Sequence, residues 1–143
     1  MIQLFIVRHA DYSGGGPNPS LSNWGKEQSL KLAQEIKQVL VEGSVTIWSS
    51  SANRASETAE IIKQEMQLAD MRIEDKLWSD NRHIHDFDWL QKQIENFKGD
   101  VLIIVSHLEY VREFPSKIGF RENNAGYAQG VRIQYGQCID ITY

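Results

Sequence analysis

Cysteine is nearly missing from this chain. Cys138 is the only one among 143 residues, so an intrachain disulfide is impossible and nothing points to an oxidising compartment. Positive charge is not in excess either. Fifteen Lys and Arg stand against 19 Asp and Glu, a net charge of -4, whereas general nucleic-acid binding wants a basic surface. No apolar run approaches the length that a bilayer-crossing helix needs. Met1-Ile2-Gln3 leads straight into an apolar run, without the basic region or cleavage site of an export signal. Internal repeats are absent, and Gly14 to Gly16 is the only low-complexity stretch. Neither a nucleophile-elbow serine nor a Walker loop occurs. The expectation is a cytoplasmic protein with no nucleic-acid and no membrane partner.

What is present is ordinary for a globular chain: 41% hydrophobic and 24% charged residues, enough for one domain over residues 1–143 and its own core. Leu4-Phe5-Ile6-Val7 reads as a buried strand that stops at Arg8-His9, and Tyr12-Ser13-Gly14-Gly15-Gly16-Pro17 behind it reads as a loop. Val45-Thr46-Ile47-Trp48 is a second strand, followed by Ser49 to Arg54 and a helix. Val101 to Val105 is a third, ending in Ser106-His107. If the three are parallel neighbours, Arg8, His9, Arg54 and His107 share one pocket at their carboxyl ends, where open α/β sheets bind ligands. Two arginines and two histidines there describe an oxyanion site.

Ser22 is the expected N-cap of a helix with Leu32, Ala33, Ile36, Val39 and Leu40 on one face, stopped by Gly43. Ala55, Thr58, Ala59, Ile62 and Met66 mark a second helix. Arg72-Ile73-Glu74 is a weak strand, and Leu77 to Asp86 a loop facing the site. Phe87, Leu90, Ile94 and Phe97 define a third helix ended by Gly99, and a short one after His107 is interrupted or restarted at Pro115. Residues 121–129 read as loop. Val131 to Tyr135 and Cys138 to Ile141 flank Gly136-Gln137, a hairpin signal. The fold class is α/β: a three-layer α/β/α sandwich whose central sheet is mainly parallel, with an antiparallel C-terminal edge hairpin.

Four ordered segments carry a family resemblance. Arg8-His9-Ala10 resembles the Arg-His-Gly that follows the first strand of the histidine phosphatase superfamily, the phosphoglycerate mutase-like proteins. Leu21-Ser22-Asn23-Trp24-Gly25-Lys26-Glu27-Gln28 resembles their Leu-Thr/Ser-x-x-Gly-x-x-Gln helix start. Ser49-Ser50-Ser51-Ala52-Asn53-Arg54-Ala55-Ser56-Glu57-Thr58-Ala59 resembles their Ser-Ser-Pro-x-x-Arg-Ala-x-x-Thr-Ala segment, and Val105-Ser106-His107 their second histidine motif. The short phosphohistidine phosphatase-type members are the most similar.

The resemblance implies that His9 attacks phosphorus and that a phosphohistidine intermediate is later hydrolysed. Arg8 and Arg54 would hold the phosphoryl oxygens. Arg54 also stands near a helix N-terminus, against the helix dipole, which an anion it must bind would explain. His107 would contact a non-bridging oxygen or assist the leaving group. Asn18 and Ser20 lie in a loop placed to donate to the phosphate. The general acid departs from the family pattern. Its usual Leu-x-Glu reads Leu77-Trp78-Ser79-Asp80 here, one residue off register, which makes Asp80 the first candidate. Glu109 in His107-Leu108-Glu109 is the alternative, and either carboxylate is also consistent with plain solvation.

Phosphohistidine nitrogen departs more easily than an alkoxide, so a chain without a clear acid suits a phosphohistidine substrate. His83 and His85 near Asp80, Asp86 and Asp88 give no convincing zinc spacing, and a polar loop rim is the better reading. Trp78, Phe87 and Trp89 either line an entrance or pack as core. The expected function is a metal-independent, cofactor-free phosphatase acting on a phosphorylated protein or a small phosphorylated metabolite. The rivals are a catalytically inactive phosphate- or phosphopeptide-binding module and a phosphoglycerate-type mutase. Mutases of that kind are longer and close inserted segments over their substrate.

Overall fold

Leu4, Phe5, Ile6 and Val7 are fully buried in strand β1 (Gln3–Arg8), and every residue of Val101–Ser106 is buried as well. Such unbroken apolar runs belong to strands covered on both faces. The computed structural model describes residues 1–117 and 138–142. In chain order these form β1, a small ribbon of β2 (Tyr12–Ser13) and β3 (Ser20–Leu21), helix α1 (Asn23–Val39), β4 (Val45–Ser50), α2 (Asn53–Glu65) and β5 (Arg72–Glu74). A 3-10 turn (Asp75–Leu77), α3 (Phe87–Glu95), β6 (Val101–Ser106), α4 (Leu108–Lys117) and β7 (Cys138–Thr142) complete them.

The main sheet has the order β5-β4-β6-β1-β7. Its first four strands run parallel, and β7 lies antiparallel on β1 at the edge. The third apolar run is therefore the central strand, between the first and the second. The other arm of the expected hairpin, Val131 to Tyr135, and the loop 121–129 lie outside the described residues.

Alternation along the strands sorts the core into two layers. Leu4 and Ile6 of β1 join Leu102 and Ile104 of β6 against Leu90 of α3 and Tyr110, Val111 and Phe114 of α4. Phe5 and Val7 join Ile103 and Val105 against Leu32, Ala33 and Ile36 of α1 and Ala55, Ala59 and Ile62 of α2. The result is a three-layer α/β/α arrangement. It leaves the carboxyl ends of β1, β4 and β6 side by side.

Ser22 caps α1 as expected, its hydroxyl accepting from Gly25 N at 2.9 Å. Three boundaries differ from expectation. Gly43 does not end α1: Leu40 is already extended, and Gly43 (φ 136°) serves instead where Asp100 passes so close that a Cβ would stand 2.6 Å from it. Phe97 lies beyond the end of α3 and packs edge-on against Trp48, so it belongs to the core without belonging to the helix. Helix α4 continues through Pro115 to Lys117. Pro115 is buried with Phe114, and that packing holds the helix across the carbonyl that proline leaves without a donor.

Candidate active site

The loop after β1 is held by groups that other motif segments contribute. His9 N donates to Ser106 O at 2.9 Å, which fixes it to the end of β6. Ala10 N donates to Thr58 Oγ1 of α2 at 3.1 Å, and Asp11 N donates to Gln28 Oε1 of α1 at 2.9 Å. Ser22 N donates to Asp11 O, and Ser22 Oγ to Asp11 Oδ2. Gly25 is required by close approach, since a Cβ there would stand 1.9 Å from Asp11 O. Glu57 accepts from Leu21 N at 3.0 Å. Three residues of the two helical motifs, Gly25, Gln28 and Thr58, thus act as a clip on the His9 loop, and Glu57 holds the ribbon beside it.

That clip leaves His9 in one tautomer. Its Nδ1 lies 2.9 Å from Ala10 O, an acceptor, so Nδ1 carries the proton. Nε2 keeps its lone pair and accepts from Arg54 Nε at 3.3 Å. Burial lowers the His9 pKa from 6.5 to about 4; the Ala10 hydrogen bond opposes this, and the Arg54 and Arg8 charges add to it. The imidazole is neutral at physiological pH.

His107 ends β6 with its ring 5.0 Å from that of His9, edge to face. Burial first, then the His9 and Arg54 charges, lower its pKa to about 2. Ser50 Oγ, at the end of β4, accepts from Ala52 N and shares a hydrogen bond of 2.9 Å with His107 Nε2. Arg54 opens α2 and is 7% exposed. A guanidinium so buried needs compensation. Asp80 Oδ2 stands 3.6 Å away, and the Tyr12 and Trp78 rings lie 5.3 and 5.9 Å from it. Tyr12 also packs on His9 at 5.6 Å between ring centroids.

Asp80 sits in the loop that follows the 3-10 turn. Its Oδ1 accepts from Arg82 N, His83 N and His83 Nδ1, at 2.8, 2.9 and 2.8 Å. Its Oδ2 accepts from Trp78 Nε1 at 2.8 Å. Partial burial pushes its pKa up, but the donors from His83, Arg82 and Trp78 outweigh it and hold the carboxyl well below the usual range. A carboxylate held ionised in this way carries no proton to donate near neutral pH. Glu109, in the first turn of α4, accepts from Ser79 Oγ at 2.7 Å.

Arg8, His9, Arg54, His107, Asp80 and Glu109 line one cavity of about 540 Å³, with Tyr12, Ser79 and Arg82 among its other walls. Asn18 and Ser20 are not part of that wall. Asn18 Oδ1 accepts from Asn53 N at 2.7 Å and so caps α2, whose own N-cap residue, Ala52, has no side chain to do it. Ser20 is exposed in the small ribbon. Trp89 and Phe87 pack on the core, and Trp78 stacks on His83. Tyr12, Ser50 and Arg82 were not foreseen. Ser50 stands inside the Ser49–Ala59 motif, which marks its place and not its contact with His107, while Tyr12 lies just beyond the first motif, where a lone Tyr has no spacing that marks it. Among the described residues no cluster of three or more His, Cys, Asp or Glu could hold a metal ion, and no helix is long and apolar enough to cross a membrane.

None of the curated proteins compared with the chain matches it. Solved structures do. The chain is similar to a protein assigned as the phosphohistidine phosphatase SixA of Agrobacterium tumefaciens, with 13% identity, TM-score 0.76, and 99% of this chain and 91% of the other covered. It is similar to the protein histidine phosphatase SixA in complex with tungstate, with 18% identity, TM-score 0.72, and 99% and 97% covered. A mycobacterial glucosyl-3-phosphoglycerate phosphatase in complex with VO3 gives 11% identity, TM-score 0.70, and 98% and 92% covered. At these identities the likeness is one of fold. The family model of the histidine phosphatase superfamily (branch 1) matches residues 4–96. That span holds the His9 loop, both helical clip segments and Arg54, and the chain belongs to the histidine phosphatase superfamily.

Proposed function

We propose that the chain is a metal-independent phosphatase that cleaves a phosphoramidate bond, that of phosphohistidine on a protein, through a phosphohistidine intermediate on His9. One observation carries this reading: His9 is neutral, its Nδ1–H is spent on Ala10 O, and its Nε2 lone pair lies beside the Arg54 guanidinium in the cavity. In the first step Arg54 Nε–H passes from His9 Nε2 to a phosphoryl oxygen, and the freed Nε2 lone pair bonds to phosphorus as the substrate's N–P bond breaks. The leaving imidazole departs neutral once its distal nitrogen carries a proton from water. Arg8 and Arg54 take the charge on the phosphoryl oxygens, a contribution of about 3 to 4 kcal/mol for each good contact. In the second step water attacks phosphorus, and its proton goes with the released phosphate. His9 leaves as neutral imidazole because Nδ1 already holds its proton.

The ionised state of Asp80 supports a nitrogen leaving group, because an alkoxide would need a proton that Asp80 does not hold. A small phosphomonoester is the second reading, favoured by Glu109, which stands in the cavity wall where a proton donor to the leaving oxygen would be needed. The test is turnover of phosphoramidate against glycerol phosphate, with a metal chelator present, for wild type and His9→Ala. The reading expects phosphate release from phosphoramidate, far slower release from glycerol phosphate, and none from either with His9→Ala. Faster hydrolysis of glycerol phosphate would move the substrate to the ester class. No turnover with phosphate still bound would leave a binding module, and loss of activity with chelator would remove metal independence.

A further inference from the structure

Asp80 has more hydrogen-bond donors around it than a proton donor can use. Four come from its own loop: the Trp78 indole, the amides of Arg82 and His83, and the His83 ring. The Asp80 amide in turn donates to His83 O at 2.9 Å, closing the loop on itself. Trp78 and His83 stack at 4.1 Å, only 14° from parallel, so the two side-chain donors are held as one unit. The loop is tied down at both ends. Tyr110, fully buried in α4, donates its hydroxyl proton to Lys76 O and accepts from Asp86 N.

This rigid carboxylate faces Arg54 in the cavity. Its Oδ2 lies 3.6 Å from an Arg54 terminal nitrogen, and the Nε of the same guanidinium donates to His9 Nε2. A planar guanidinium has a fixed fork, so a hold on one nitrogen sets the direction of the others. Resting on the phosphatase reading above, we propose that Asp80 is a positioning residue: it orients Arg54, and through Arg54 the phosphoryl group, against His9. The Trp78–His83 pair sets the carboxylate's own direction. The chain thereby uses the place where a general acid was expected to aim its phosphate-binding arginine.

The two roles separate in kinetics. An acid matters more as the leaving group becomes more basic, whereas a misaimed guanidinium slows every substrate alike. Asp80→Asn and Trp78→Phe would be assayed on p-nitrophenyl phosphate and phenyl phosphate, whose leaving groups differ widely in basicity. Asp80→Asn is expected to lower kcat about tenfold to a hundredfold on both, by the same factor, as small misplacements do. Inhibition by inorganic phosphate should be no weaker, since a negative charge has left the anion site. Trp78→Phe should give a smaller fall of the same kind. Added to Asp80→Asn it should cost little more, because both act along one chain of contacts. A loss that grows from p-nitrophenyl phosphate to phenyl phosphate would make Asp80 the acid and overturn the proposal, as would an unchanged kcat.

If wild type turns over neither ester nor phosphoramidate, the phosphatase reading fails by itself. The clamp is then read from the Arg54 Nε–H resonance by nitrogen-15 NMR. Protection of that proton in wild type, lost in Asp80→Asn, would keep the positioning role. Identical exchange in both would end it.

Discussion

Two loops frame the cavity, and they are held by different physics. The loop carrying His9 is held mostly by neutral groups from elsewhere in the chain: Ser106 O, Thr58 Oγ1, Gln28 Oε1 and the amide and hydroxyl of Ser22. Its partners lie up to 97 residues away in sequence, on strands and helices that also build the core. The loop carrying Asp80 is folded largely around one ionised carboxylate whose donors are Trp78, Arg82 and His83. The first arrangement ties the geometry of the site to the stability of the fold. The second ties it to the rate, through the Arg54 guanidinium that Asp80 faces.

The difference is open to test, and the largest expected effect is one of pH. Burial keeps His9 and His107 neutral in the folded chain, with pKa values of about 4 and about 2 in place of 6.5. Below 6.5 the unfolded chain takes up protons that the folded chain refuses. Stability is therefore full above 6.5 and falls as pH drops, until about 4 for His9 and about 2 for His107. The slope is about 1.4 kcal/mol per pH unit for each histidine, of the order of 4 kcal/mol for the pair by pH 5. Urea unfolding at pH 7 and pH 5 measures it, and His107→Gln should remove about half. Asp80 is ionised in both states through this window, since its lowered pKa makes its own contribution disappear only in stronger acid. A flat profile between pH 7 and 5 would contradict the tie between site and core.

Gly25→Ala comes next. The added methyl meets Asp11 O, so it should cost about 2 to 3 kcal/mol and shift the His9 loop, lowering Tm and turnover together. A stable variant with full activity would show that α1 does not press on that loop. Thr58→Val keeps the shape but leaves Ala10 N buried without its acceptor, at about 1 to 3 kcal/mol. Thermal unfolding reads this directly. The smallest effect belongs to the other loop: Ser79→Ala removes one donor to Glu109 and should change stability by about 1 kcal/mol or less. A large fall in Tm there would erase the contrast between the two loops.

The same contrast explains what could be read before any coordinates. The buried strands announced themselves as apolar runs, and Arg8, His9, Arg54 and His107 stand at or just after strand ends, where position in the sequence translates into position in the sheet. Ser22, Gly25 and Gln28, or Arg54 and Thr58, sit at helical spacings that a motif records. Their chemistry as a clip is not recorded, because Gly25 and Thr58 act on backbone atoms of residues far away in sequence. Asp80 was legible as a candidate and illegible in role. Its donors lie in an irregular loop without a period, and nothing in Trp78-Ser79-Asp80 tells that the indole turns back on the carboxylate. Asn18 looked free to bind phosphate because Ala52, which cannot cap α2, gave no hint of what would do so instead. Gly43 looked like a helix stop for the same local reason, when its neighbour is Asp100.

The central claim is that neutral His9 is the nucleophile, and trapping of the phosphoenzyme tests it most directly. Radiolabelled phosphoramidate would be mixed with the protein in the presence of a chelator and quenched rapidly. The prediction is a protein-bound label that is labile in acid and stable in base on wild type, absent from His9→Ala, and formed no more slowly than phosphate is released. Phosphate release without any such label, or an equal label on His9→Ala, would contradict it.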